Sequence, residues 1–388
     1  MGTSQDAGAL VTRRRSLIAV ITAMVVVNLV YGITLPLMSL ILDAQGISKT
    51  AIGLSIVVQA SGGVLLATVM SRLIVRLGAA RVMQSATLLA SMTLIALGLF
   101  QDIYIWLPLR FLLGASAAML WSASETVINE LADDEWRGRI MGIYGAAGAS
   151  GFALGPIILI LTGSTGMLPF AVTSILVALA SLPLFWLGKP STDIASDGRP
   201  SLWRIFKFVP HILLLNLTYA ATVESVIAFF SLYGIDAGLS EARSLSLLTT
   251  FALGGVVLQI PLGWLADHMD RIKMLLMCLL ATIIGFLIIP EVINHIWGGP
   301  FLLFTIGGIE GMIYTLSIIL LGQTFRGAEL AAATVLHTSM WGVGTMLGPA
   351  AVGIGMDLLG DYTMPYLIAA IYVIYLPMLI LARRRSIK

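Results

Sequence analysis

The stretch that decides the fold spans residues 16–42, which read SLIAVITAMVVVNLVYGITLPLMSLIL without a single charged residue. A helix needs ~20 residues to cross the hydrocarbon layer of a membrane, and this run exceeds that length. Residues 13–15 are three arginines, as in a signal peptide, but the apolar core of a signal peptide is only ~7–15 residues long. The run therefore predicts a retained first span with a basic cytoplasmic flank.

Apolar blocks of this length recur along the whole chain of 388 residues. The sequence is 58% hydrophobic and 11% charged, whereas a soluble domain carries about 25% charged residues. The blocks fall near residues 16–42, 50–71, 82–100, 103–126, 140–162, 167–187, 208–234, 244–266, 274–290, 299–322, 331–356 and 362–382. They predict an all-α membrane protein with twelve transmembrane helices.

Lysine and arginine are distributed unevenly between the connectors of these blocks. Of the 22 in the chain, only Lys49 and Arg243 fall in one set of alternate connectors, and Arg110 falls inside a span. The others lie in the second set and at the termini, and basic residues accumulate in cytoplasmic loops. The pattern predicts a bacterial cytoplasmic (inner) membrane protein with both termini cytoplasmic. It gives no indication of nucleic-acid binding.

A polar, turn-rich stretch lies near the middle of the chain. It predicts an N-terminal six-helix bundle at 1–188, a cytoplasmic linker at 189–206 and a C-terminal six-helix bundle at 207–388. Internal repetition supports this division. Asn28-Leu29-Val30-Tyr31 recurs as Asn216-Leu217-Thr218-Tyr219, Gly114 with Trp121 as Gly307 with Tyr314, and Gly151 with Gly155-Pro156 as Gly344 with Gly348-Pro349.

Three local patterns accompany this architecture. They are Gly263-Trp264-Leu265-Ala266-Asp267 with Arg271, Arg110-Phe111-Leu112-Leu113-Gly114, and Gly151 with Gly155-Pro156. Together with the six-plus-six helices and the central linker, they resemble the major facilitator superfamily over the whole chain. The resemblance implies two pseudo-symmetric six-helix bundles, a monomer, and transport of a small solute by alternating access, in which the halves rock about a midplane site.

The first pattern implies a conformational latch on the cytoplasmic side. Gly263 permits close helix contact, and Asp267 can sit at a neighbouring helix N-terminus, where a carboxylate is stabilised by ~0.3–1 kcal/mol. Arg271 completes this loop. The equivalent first-half loop keeps Arg81 but has Val75 where the acid is expected. The basic residues of that loop are therefore explained equally well by its cytoplasmic location alone, without a latch.

A fifth latch residue is expected outside these loops. Glu125 is near the cytoplasmic end of the fourth span, and we expect it to pair with Arg76 or Arg81.

The glycine-rich run in the fifth span has two interpretations. Gly151 and Gly155-Pro156 resemble a pattern of proton antiporters in the family. Small residues at this spacing also let helices approach closely, and Gly348-Pro349 repeats the pattern in the eleventh span. A packing hinge in both halves therefore explains it without antiport.

Two glutamates and one arginine lie well inside spans, where an unpaired charge costs a few kcal/mol. Glu310 and Glu224 are predicted proton carriers in the tenth and seventh spans, because a buried glutamate can exchange a proton. Arg110, which members of the family use in proton transfer, is expected to tune them. The alternatives are that Glu224 forms a structural ion pair with Arg110, or that Arg110 snorkels to the surface. The residue that matches Glu310 in the first half of the internal repeat is Ala117, so this acid does not come from the duplication and is more specific to function.

Polar and aromatic side chains at mid-span are the candidates for binding the solute. They are Asn28, Tyr31, Gln59, Trp121, Asn216, Tyr219 and Tyr314. Each is more often a packing residue, but most lie in the first, fourth, seventh and tenth spans, which line the cavity in the family.

The favoured function is a proton-coupled secondary transporter that exports a drug-like or metabolite solute by antiport. Import by symport, or facilitated diffusion, would use the same residues and is the alternative transport function. A receptor or accessory subunit that has the same fold but transports nothing is the alternative outside transport. An enzyme is not expected, because no nucleophile and base stand out. The single cysteine, Cys278, excludes a disulfide framework or a cysteine-based metal site. No cofactor or metal is expected.

Overall fold

A computed structural model of the chain describes residues 2–131, 137–186 and 201–386. These residues form fourteen α-helices and two 3₁₀ segments, and no strand occurs among them. The helices are α1 (Gly2–Ala44), α2 (Lys49–Leu77), α3 (Ala79–Leu99), α4 (Ile103–Leu131), α5 (Arg137–Thr162), α6 (Leu168–Ala180), α7 (Leu202–Phe208), α8 (Pro210–Asp236), α9 (Glu241–Val257), α10 (Gln259–His268), α11 (Arg271–Val292), α12 (Gly298–Thr324), α13 (Gly327–Leu359) and α14 (Met364–Ser386).

The twelve predicted spans are confirmed, with one change. Among the described residues, eleven helices are long and apolar enough to cross a membrane, and α9 with α10 makes a twelfth span bent by 41°. The eighth span, predicted as one helix over 244–266, breaks at Leu258. Pro261 explains the break, because it has no amide hydrogen to donate to Val257 and its ring crowds that carbonyl. The chain is an all-α membrane protein.

Contacts divide the chain into two compact units. Unit 1 comprises Met1–Leu37 and Val58–Ile194, and unit 2 comprises Met38–Val57 and Ala195–Lys388. The end of α1 and the start of α2 therefore belong to unit 2, which the sequence did not indicate. Residues 189–200 of the predicted linker lie outside the described residues, and residues 202–206 belong to α7. The predicted domain boundaries stay predictions.

Glycines set the distance between α2 and α4 in unit 1. A Cβ atom added to Gly62 would lie 2.1 Å from the Phe111 carbonyl oxygen, and one on Gly114 would lie 1.8 Å from that of Gln59. No side chain fits at such distances, so the two backbones touch directly.

Unit 2 repeats this contact between α9 and α12. A Cβ atom added to Gly254 would lie 1.9 Å from the Phe304 carbonyl oxygen, and one on Gly307 would lie 1.9 Å from that of Phe251. Gly114 and Gly307 are partners in the internal repeat, so the duplicated sequence produces the same packing in both units.

Candidate functional site

The carboxyl group of Glu310 is held by side chains from two other helices of unit 2. Glu310 lies on α12 and is 1% exposed. Its Oε1 accepts a hydrogen bond of 3.0 Å from the Tyr372 hydroxyl of α14, and that hydroxyl accepts one of 2.8 Å from Thr222 of α8. Glu310 Oε2 has no hydrogen-bond partner among the described residues. One oxygen is therefore fixed, and the other is left for a proton or a ligand.

Glu224 is a second buried acid of unit 2. It lies on α8, is 7% exposed, and its Oε2 has no hydrogen-bond partner within the described part of the chain. Because burial of an unpaired carboxylate is costly, the buried positions of Glu224 and Glu310 favour the protonated form of both side chains.

A buried histidine that the sequence analysis did not single out joins α8, α12 and α13. His337 lies on α13, with Nε2 2.8 Å from the Ser317 hydroxyl and Nδ1 3.3 Å from Asn216 Nδ2. Asn216 also donates to the His337 carbonyl oxygen at 2.7 Å, which fixes the orientation of its amide. Ser317 donates to the Tyr314 carbonyl oxygen, so its own oxygen accepts from the ring. The partners therefore fit a neutral imidazole protonated at Nε2.

Three aromatic rings of unit 2 meet in pairs. Tyr219 of α8 stacks on Tyr314 of α12 with ring centroids 5.4 Å apart, and Trp341 of α13 contacts both edge-on at 5.4 and 5.5 Å. All three side chains are half-buried. We refer to Tyr219, Tyr314 and Trp341 as the aromatic cluster. Both tyrosines were predicted from the sequence, whereas Trp341, which lies with His337 inside the predicted span 331–356, was not.

Arg110 is the buried cation of unit 1. It lies on α4, is 0% exposed, and none of its three guanidinium nitrogens has a hydrogen-bond partner among the residues that the structure describes. Snorkelling to the surface is therefore wrong for this arginine. An unpartnered buried guanidinium needs an anion, so Arg110 stays a candidate for function.

The remaining solute-binding candidates of unit 1 have mostly local contacts. Asn28 donates to the Met24 carbonyl oxygen in its own helix at 3.0 Å. Tyr31 and Trp121 pack against an apolar core cluster. Gln59 is buried, with no hydrogen-bond partner for Oε1 among the described residues.

Glu125 does not form the expected latch in this structure. Its Oε1 accepts a 2.7 Å hydrogen bond from the indole of Trp121, one turn earlier on α4. Within the described part of the chain it forms no ion pair with Arg76 or Arg81, both of which are exposed. An indole four residues away on the same helix face is the nearer partner.

The second-half loop also differs from expectation. No described heavy atom outside its own helix turn and chain neighbours lies within 4 Å of a Cβ atom added to Gly263, so close contact is absent there. The acid at the start of α11 is Asp270, which accepts from the Lys273 amide at 2.8 Å, while Asp267 is exposed at the end of α10. Arg271 is the first residue of α11. The helix cap that was expected of Asp267 is thus made by Asp270.

The glycine-rich run of α5 packs against α1. A Cβ atom added to Gly151 would lie 2.2 Å from the Val25 carbonyl oxygen, and one on Gly155 would lie 2.3 Å from the Gly32 backbone. Pro156 lies within the same helix.

Its repeat in α13 packs against α8 of unit 2. Cβ atoms added to Gly344 and Gly348 would lie 2.3 and 2.1 Å from the carbonyl oxygens of Leu217 and Ala221. Pro349 follows inside α13. Helix packing therefore accounts for both runs.

A charged cluster at one end of unit 2 was not predicted. Lys49, at the start of α2, pairs with Asp43 of α1 and with Asp361, whose Oδ2 lies 3.1 Å from Nζ. Asp357 of α13 accepts hydrogen bonds from the Lys49 and Thr50 amides at 3.0 and 2.7 Å. Because a carboxylate is favoured at a helix N-terminus, Asp357 caps α2.

Comparison with known proteins decides the family. The family model described as Major Facilitator Superfamily matches residues 20–248 and 213–387. The chain belongs to the major facilitator superfamily. A superfamily member of Bacillus subtilis, the uncharacterized MFS-type transporter YfkF, is 28% identical over 333 residues, 83% of this chain and 84% of that protein. The uncharacterized MFS-type transporter YcaD of Escherichia fergusonii is 26% identical over 81% of this chain and 82% of its own.

Solved superfamily structures share the fold. The nucleoside transporter NupG matches with a TM-score of 0.77 and 14% identity over 94% of this chain and 98% of that chain. A bacterial homologue of the human lysosomal transporter Spinster matches with a TM-score of 0.69 and 15% identity over 96% and 94%. The resemblance noted in the sequence is confirmed. The chain is a multi-pass membrane transporter of this superfamily and not an enzyme.

Proposed function

We propose that this transporter is a proton-coupled secondary antiporter that exports a small, partly apolar solute by alternating access. Glu310 and Glu224 carry the protons, and Arg110 tunes them. The single observation that carries the proposal is the Glu310 carboxyl group, buried on α12 with one oxygen held by Tyr372 and the other without a partner among the described residues. Such a group exchanges a proton only when its surroundings change, which is what coupling requires.

The aromatic cluster supports the solute side of the proposal. Half-buried Tyr and Trp rings bind apolar and planar molecules by stacking, and cations by their ring faces. Asn216 has an amide oxygen without a hydrogen-bond partner in the described residues, which adds an acceptor beside the cluster. The solute class thus includes organic cations and flat heteroaromatic compounds. NupG transports nucleosides by its description, so nucleosides belong in the first test set.

The membrane location and orientation are part of the proposal. The transporter lies in the bacterial cytoplasmic membrane with both termini cytoplasmic, because nearly all its basic residues fall on one side. The family resemblance implies that it acts as a monomer. A fluorescent protein fused to the C-terminus is expected to fluoresce in whole cells. If a periplasmic phosphatase fused at the same point is active instead, the C-terminus lies in the periplasm and the proposed orientation is wrong.

Proton release by purified protein tests the coupling. Ethidium, tetraphenylphosphonium, uridine and adenosine are added separately to protein in weakly buffered detergent solution while pH is recorded. We expect at least one of them to release protons from the wild type and none from Glu310→Gln. Glu125→Gln is the matched control, because it removes a carboxyl of unit 1 that is already bonded to Trp121. Equal binding of a probe by wild type and Glu310→Gln without any pH change would reject the coupling assignment.

The direction of transport needs its own measurement. Export is the first choice because Arg110 matches an arginine that members of the family use in proton transfer, and import by symport is the second choice because it uses the same Glu310. In proteoliposomes with an imposed pH gradient, an antiporter moves a probe against the proton flow, and a symporter moves it along.

A further inference from the structure

The short helix α7 precedes the membrane-spanning helix α8 and carries an exposed aromatic face. α7 ends at Phe208, and the α8 span begins at Pro210. Val209 between them leaves helical geometry, with φ −126° and ψ 48°, so α7 does not simply extend the span. A helix in this position lies within a few residues of the boundary between hydrocarbon and headgroups.

The side chains of α7 have the composition of a membrane interface. Leu202, Trp203 and Phe208 are 46%, 64% and 67% exposed, which is unfavourable in water. Trp203 stacks on Phe206 with ring centroids 5.9 Å apart. Trp is enriched where membranes meet water, because its ring is apolar and its N–H needs a polar partner.

Two cations accompany these rings. Lys207 Nζ lies 5.0 Å from the centre of the Trp203 ring, and Arg204 donates to Glu329 Oε1 of α13 at 3.0 Å. Both cations are exposed on the same short helix, which places positive charge beside apolar surface. A lysine over a ring keeps its apolar stem in hydrocarbon and its ammonium among phosphates.

The rest of α7 is fixed to unit 2, so its exposed face is presented in a set orientation. Ile205 is buried, and the Phe208 ring lies 5.9 Å from that of Phe325 at the end of α12. The Arg204–Glu329 pair ties the helix to the start of α13.

We propose that α7 lies in the headgroup layer of the membrane and binds anionic phospholipid, with Trp203 at the apolar boundary and Lys207 and Arg204 on the lipid phosphate. The occupant is lipid because α7 adjoins a span and combines exposed rings with cations. The phosphate competes with Glu329 for Arg204. Each cation near an anionic membrane contributes about fivefold to the affinity.

Fluorescence quenching tests the position of Trp203. The protein is reconstituted in phosphatidylcholine nanodiscs, with or without phosphatidylglycerol, and the emission difference between wild type and Trp203→Phe isolates this one of the 8 tryptophans. We expect nitroxides near the headgroup to quench the difference signal more than nitroxides at the chain end or aqueous iodide. Stronger quenching by iodide would place α7 in water, and stronger quenching at the chain end would place it in hydrocarbon. Either result overturns the proposal.

Charge variants test the lipid chemistry. The phosphatidylglycerol fraction needed for half of the change in Trp203 emission is expected to rise about fivefold in Lys207→Gln. Lys273→Gln removes one exposed cation from α11 and is the matched control, expected to leave that fraction unchanged. Inorganic phosphate added to phosphatidylcholine discs is expected to have no effect. An equal rise in both variants, or a full response to inorganic phosphate, would contradict binding of anionic lipid by α7.

Discussion

Units 1 and 2 share their helix packing but not their buried chemistry. The α2–α4 contact at Gly62 and Gly114 has its counterpart in the α9–α12 contact at Gly254 and Gly307. In contrast, Glu310 replaces the alanine of the first half. Duplicated sequence therefore preserves backbone contacts, which tolerate no side chain, while the polar groups diverge. Unit 2 contains a hydrogen-bonded acid, a buried histidine and the aromatic cluster.

The largest expected effect follows from placing the proton chemistry in unit 2. Glu310→Gln is expected to abolish pH-gradient-driven uptake of a transported probe into inside-out vesicles, because the neutral amide cannot carry a proton. Glu125→Gln, the acid of unit 1, is expected to retain transport. Loss of transport in Glu125→Gln with transport kept in Glu310→Gln would contradict the assignment of proton chemistry to unit 2. Surface expression and monodispersity of both variants serve as the folding control.

Packing variants test whether the two units are equivalent in stability. Gly62→Ala and Gly254→Ala are each expected to lower the free energy of unfolding by about 1–3 kcal/mol, because the new methyl group overlaps a carbonyl oxygen. Gly263→Ala is the control, because its Cβ atom has space and alanine favours the helix. Thermal unfolding in detergent measures all three. A cost confined to one unit would show that the repeated contacts are not equivalent.

Tyr372→Phe sharpens the account of Glu310. It removes the hydroxyl that donates to Glu310 Oε1, and the loss of that hydrogen bond, about 1 kcal/mol, is expected to slow coupled transport roughly fivefold. Tyr366→Phe, an exposed tyrosine of α14, is the control and is expected to behave as wild type. Initial rates at fixed pH gradient measure the difference. Unchanged rates in Tyr372→Phe would remove Tyr372 from the mechanism.

The smallest effect concerns the segment 38–57, which belongs to unit 2. Asp357→Asn keeps the shape of the α2 cap but removes its charge, and is expected to lower the free energy of unfolding by about 0.3–1 kcal/mol, less at high salt. A salt-independent loss in Asp357→Asn would argue against an electrostatic cap.

The spans, the repeat and the two glutamates were readable from the sequence because each depends on local composition. The lengths of apolar blocks fix the spans, and an acid inside a block stands out at once. The partners were not readable, because Tyr372 is 62 residues from Glu310 and Thr222 is 150 residues from Tyr372. His337 gave a weaker signal than the glutamates, because an imidazole carries no fixed charge near neutral pH. Glu125 differs from these cases, because its partner is the Trp121 indole one turn away on the same helix and not an arginine of the adjoining loop.

The central claim is that Glu310 exchanges a proton inside unit 2, and infrared difference spectroscopy tests it most directly. Protein in native-like membranes is titrated with pH, and the C=O stretch of protonated carboxyl groups is followed in wild type, Glu310→Gln and Glu125→Gln. We predict one component of the carboxyl band that disappears as pH rises in wild type and Glu125→Gln and is missing from Glu310→Gln, while the component that belongs to Glu224 remains. An unchanged band in Glu310→Gln would show that another group carries the proton, and would contradict the account.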